Sequence, residues 1–149
     1  MIEMLVTVGV ILVISAIAIP IIMGTLLNMR LNAAATAAAG AIQTTRFQAI
    51  QTGCAYTIAF NQSTATYQVA AYQLTGAPPA CANSLTNVGG LIPWSGAQDV
   101  TLNASSTLQL NPNGTVSATV GTLALRFSNG KATKTVTVSG VGNVLVTSP

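Results

Sequence analysis

The sequence predicts an α+β protein in which a long N-terminal α-helix packs on an antiparallel β-sheet domain. Three observations predict it. No charged residue stands between Glu3 and Arg30, an alanine-rich stretch with helical spacing follows, and after Gly53 the texture turns to threonine, valine and short alternation. These features divide the chain into an apolar helix half over 1–27, an amphipathic half over 28–53, and a β domain over 54–149.

Composition narrows the function classes before any motif is read. Of 149 residues only 5% are charged, against roughly 25% in an ordinary soluble domain. Five cations, Arg30, Arg46, Arg126, Lys131 and Lys134, face two acids, Glu3 and Asp99, and histidine is absent. Without histidine there is no Ser-His-Asp triad and no His-based metal site, and two distant carboxylates make no catalytic pair. No metal, no cofactor and no enzymatic activity are therefore expected. Five scattered cations are not a nucleic-acid-binding stripe. Disorder is excluded as well, since half the residues are apolar.

The helix begins with residues 4–23, which are almost wholly apolar. Twenty residues in a helix rise about 30 Å, the depth of a bilayer's hydrocarbon core. A cleaved secretory signal would carry a basic leading region, a shorter apolar core and a small-residue cleavage site, so the segment reads as retained. Glu3 lies at the edge of the run, where an unpaired carboxylate is costly to bury. Pro20 removes one helix hydrogen bond, and Gly9 and Gly24 add weak points. The bland reading is a tilted anchor with Glu3 among the headgroups and a tolerated proline. The sharper one is a helix that spans the membrane and later packs against copies of itself, with Glu3 paired to a neighbour's cation.

From residue 28 to 52 the helix becomes polar but keeps one stripe, Leu31, Ala35, Ala38, Ile42 and Ala49. Arg30 and Arg46 fall off it, with Gln43, Gln48 and Gln51 nearby. The stripe is where the helix docks on its own domain, and the small residues over 33–39 also permit close approach of other helices. Gly53 is the expected stop.

Strands are expected at 54–60, 66–74, 107–110, 115–120, 122–127, 134–139 and 143–147. Asn61-Gln62-Ser63, Asn111-Pro112-Asn113-Gly114, Ser128-Asn129-Gly130 and Gly140 separate them as turns. Asn129-Gly130 is the strongest hairpin signal. The proline- and glycine-rich stretch 75–98 reads as a long surface loop.

The N-terminal residues carry a family resemblance. Met1-Ile2-Glu3-Met4-Leu5-Val6-Thr7-Val8, followed by an aliphatic run to Ala18-Ile19-Pro20, resembles the mature N-terminus of a type IV pilin or type II secretion pseudopilin. Glu3 matches the family's glutamate, and the interval from Glu3 to Pro20 matches its glutamate-to-proline spacing. The family places a methylated aromatic residue and one further residue before the position Met1 occupies, and the sequence departs from it there. The resemblance implies the pilin fold, processing by a prepilin peptidase, and residence in the bacterial inner membrane. It then implies assembly with the pilus or secretion machinery into an extracellular homo-oligomeric filament. It also implies that Glu3 sets register by pairing with a neighbour's N-terminal amine, while Pro20 and Gly24 let the helix bend or unwind.

Two finer points resemble the H/FimT-type branch. Arg46-Phe47-Gln48-Ala49-Ile50 runs straight into a strand, and a terminal hairpin closes on Gly142-Asn143-Val144-Leu145-Val146. That branch often carries Gly-Arg-x-Arg in its final strand, where some members bind DNA. Here Asn143 and Leu145 replace those arginines, so nucleic acid is not an expected partner.

Cys54 and Cys81 are the only cysteines, and in an exported protein such a pair is expected to form a disulfide. Closing that loop stabilises by roughly 3–4 kcal/mol on the chain-entropy model. No charge occurs between Phe47 and Gln98, which suits contact area between subunits or attachment of glycans. Asn61, Asn103 and Asn113 head formal sequons, and Ser148 beside Pro149 is a candidate O-linked site. Trp94 reads as a core or interface anchor.

The uncharged surface favours a major, shaft-forming subunit, whereas the branch resemblance favours a minor pseudopilin that primes or caps a filament. A membrane-tethered domain binding a ligand through 75–98 is the reading from another class. An anchored hydrolase would have to rely on Asp99 with Lys131 or Lys134.

Overall fold

The structure, a computed structural model, describes residues 2–76, 80–94 and 99–148, without the side chains at 20 and 21. One helix, α1 (Ile2–Thr52), runs unbroken through both halves. It ends where expected: Gly53 takes a positive φ of 69°, and its N–H donates to the Ala49 carbonyl at 3.1 Å, the left-handed stop that glycine adopts without strain.

Nine strands follow: β1 (Tyr56–Asn61), β2 (Thr66–Thr75), β3 (Ala80–Pro93), β4 (Thr101–Leu102), β5 (Ser106–Leu110), β6 (Val116–Val120), β7 (Ala124–Ser128), β8 (Thr133–Val138) and β9 (Val144–Thr147). They form two antiparallel sheets, ordered β3-β2-β1-β5-β6 and β4-β7-β8-β9. Period-two alternation is clean on β5 and β7, which bury Leu108 and Leu110, and Leu125 and Phe127, on one face. These residues meet Ile58 and Phe60 of β1, Val136 and Val138 of β8, and the helix stripe in a single core. The five stripe residues named from the sequence are each exposed by 1% or less. Ala34 and Ala39 widen the stripe, and Thr45, also buried, donates its hydroxyl to the Ala41 carbonyl at 2.7 Å. Alanines suit this face because a small side chain lets the helix axis lie close to the sheets.

The expected loop over 75–98 is a correction. Residues Ala80–Pro93 form the longest strand of the domain, hydrogen-bonded along β2 from Thr75↔Ala80 to Thr66↔Pro93. It is an edge strand exposed at every position but Ala82, so neither face imposes an apolar–polar alternation on its sequence. Glycines at 89 and 90 and register shifts opposite 67–69 and 72–74 further blur the pattern. The proline pair at 78–79 lies outside the described residues. β4, only two residues long, is likewise absent from the expected strands.

Trp94 closes β3 into the core, 3% exposed. Its ring lies 5.7 Å from Phe127, edge-on, and 6.2 Å from Phe60, a contact geometry favoured by aromatic quadrupoles.

Candidate assembly surface

Among the described side chains from Ile2 to Met23 none is buried against the chain's own domain. Every described large apolar side chain from Ile2 to Met23 is at least 53% exposed, and the first buried helix residue is Leu31. Such a surface is far beyond the few hundred Å² that a soluble monomer leaves bare. By length and composition α1 is able to cross a membrane.

Glu3 stands exposed in the first helical turn, where a carboxylate is favoured by the helix dipole. Among the described residues it makes no ion pair. The helix backbone continues through position 20, and the Pro20 side chain lies outside the described atoms. Around Gly24 an added Cβ would have no described atom within 4 Å beyond the neighbouring helix backbone. These three residues lie along the one helix α1.

At the other end of α1 the chain is fastened to its domain by two devices. The Cys54–Cys81 disulfide, with Cα atoms 5.6 Å apart, ties the end of the helix to the start of β3. The second device was not visible in the sequence. Arg46 donates from Nε to the Gly114 carbonyl at 2.8 Å and from a terminal guanidinium nitrogen to the Val141 carbonyl at 3.1 Å. One side chain thus satisfies the backbone of both the β5–β6 and the β8–β9 turns. Gly142 is buried with φ of 82°, and a Cβ there would overlap the guanidinium and the Gly114 carbonyl. The partners are 68 and 95 residues away in sequence, beyond the reach of any local pattern.

The sequons serve turn geometry. Asn61 Oδ1 accepts from the Ser63 N–H and hydroxyl, and Asn113 Oδ1 accepts from the Thr115 N–H and hydroxyl. Both are Asx turns closing hairpins. Asn103 is exposed, its N–H donating to the Arg126 carbonyl, and Ser148 is exposed at the foot of the domain. Asp99 pairs with Arg30, not with Lys131 or Lys134, so the hydrolase constellation does not assemble. Among the described residues no three His, Cys, Asp or Glu residues gather as metal ligands.

The family model of the type II transport protein GspH matches residues 34–142. The chain belongs to the GspH family. The match covers the buried helix stripe from Ala34 onward, Arg46 and both turns it holds, and it stops at Gly142, inside the final hairpin. It thus supports the pilin and pseudopilin resemblance read from the N-terminus on a different and larger part of the chain. No curated protein and no solved structure matches the chain. Family membership and the apolar helix together fit anchoring in the inner membrane.

Proposed function

We propose that this chain is a filament subunit of the pilin and pseudopilin type, held in the bacterial inner membrane by its apolar helix half and assembled by packing that same half against other subunits. The observation that carries the reading is the bare apolar surface from Ile2 to Met23 on a helix whose continuation is locked into a GspH-family domain. Assembly exchanges one apolar environment for another, so extraction never exposes the helix to water. Packing and the pairing of Glu3 decide register. Glu3, Pro20 and Gly24 belong to this assembly role: the first selects register, the other two allow local bending. Residue by residue the β domain contributes the outer surface, with β3 offering an uncharged face to neighbours.

The family match favours the minor subunit, one that primes or caps a secretion pseudopilus. A major, shaft-forming role is the second reading, favoured by the 14-residue uncharged edge of β3, which a subunit repeated many times could line with its own copies. Stoichiometry in sheared cell-surface fibres decides between them. A few copies per fibre support the minor role, and one copy per repeat supports the major one. Glu3→Lys should abolish incorporation into fibres while leaving membrane insertion intact; normal incorporation of that variant would refute the register role.

A further inference from the structure

We propose that the cleft between helix residues Asn28 and Asn32 and the β7–β8 hairpin binds the phosphate of an anionic phospholipid headgroup while the subunit resides in the bilayer. This rests on the membrane residence proposed above.

Depth comes first. Between Glu3 and Arg30 the helix carries no charge and rises about 40 Å, the thickness of a bilayer with its headgroup regions. With Glu3 in one headgroup layer, residues 28–32 lie in the other. The β7–β8 turn is fixed at that same level: Asn129 Nδ2 donates to Asn28 Oδ1 at 3.3 Å. Asn129 is in turn held by its own hairpin, its Oδ1 accepting from the N–H groups of Lys131 and Ala132.

Charge comes second. The resulting cleft, about 490 Å³, is lined by Asn28, Asn32, Lys131, Lys134 and Ser148. Lys134 lies on the β8 face that carries Val136 and Val138, half-buried, and lines the cleft together with Leu31 and Asn32 of the helix. Neither lysine forms an ion pair among the described residues. The chain has only two side-chain carboxylates to offer. Glu3 belongs to the opposite leaflet, and Asp99 is engaged by Arg30. Arg30 is two residues from both Asn28 and Asn32, hence on the opposite side of the helix. Two lysines and two carboxamides thus line one cleft at headgroup depth with no ion-pair partner among the described residues. That is the donor set an anionic phosphate diester requires.

The function follows from position. A headgroup held between helix and hairpin fixes the domain upright on the membrane, and moving the subunit into a filament must release it.

The test uses the full-length chain reconstituted in phosphatidylcholine bilayers, comparing its association with spin-labelled phosphatidylglycerol and spin-labelled phosphatidylcholine. At about fivefold per cation near an anionic surface, the wild type should prefer the anionic lipid. Lys134→Gln should cut that preference about fivefold, and the Lys131→Gln, Lys134→Gln pair should bring it close to unity. The Lys→Arg pair should retain it. Equal association of both lipids with the wild type, or a preference unchanged in the double Gln variant, would overturn the proposal while leaving membrane residence standing. Displacement of the anionic lipid by millimolar inorganic phosphate would also overturn it, because the cleft would then be a site for a free anion. A chain that fails to incorporate into the bilayer at all would overturn both readings.

Discussion

The two halves of α1 are one continuous helix with opposite relations to their surroundings. From Ile2 to Met23 the large apolar side chains point outward on all sides and stay bare. From Leu31 to Ala49 a narrow stripe of leucine, isoleucine and alanine is buried with Thr45, and the outer face carries small and polar residues with Phe47 as its large apolar side chain. The first pattern is that of a helix surrounded by an apolar medium, the second that of a helix lying on one core. The difference teaches that helix propensity alone does not define a functional unit here. The boundary near Arg30, the first charge after Glu3, separates a part whose folding depends on its environment from a part whose folding depends on its own domain.

Substitutions should therefore sort by half. The largest effect belongs to the core: Phe127→Ala should cost about 3–5 kcal/mol, seen as a drop in the melting temperature of the domain, with membrane partitioning of the folded chain unaltered. Close behind, replacing Cys54 and Cys81 with serine should cost roughly 3–4 kcal/mol, checked by denaturant unfolding with and without reductant. In the other half Ile11→Lys should raise the cost of insertion by about 2.5–3.5 kcal/mol and shift the chain out of the carbonate-resistant membrane fraction. The domain's unfolding midpoint should stay where it was. Smallest is Arg46→Ala. It strips two backbone carbonyls of their donor, at about 1–3 kcal/mol, and should speed amide exchange in the turns at 111–115 and 139–143 before it affects the rest. Loss of domain stability in Ile11→Lys would break the division between the halves.

Much of this division was legible in the sequence because it is written in period and charge. The stripe from Leu31 to Ala49 follows the helical repeat, Gly53 marks the stop, and two lone cysteines leave one pairing. Strands with a buried face, such as β5 and β7, announced themselves by alternation. β3 did not, because an edge strand bare on both faces is under no such constraint. Arg46 was hidden for another reason: its carbonyl partners are backbone groups brought near only by the fold. The Lys131 and Lys134 cleft likewise depends on the β7–β8 turn reaching Asn28 across 101 residues.

The central claim is that the outer surface of residues 2–23 is covered by lipid before assembly and by other subunits after it. Its most direct test is a photoreactive side chain at Ile14, which is 61% exposed, activated in membranes and in sheared fibres of the full-length protein. The account predicts lipid adducts in the first case and cross-links to the N-terminal helices of other subunits in the second. Cross-links to the β domain of its own chain in either setting would contradict it.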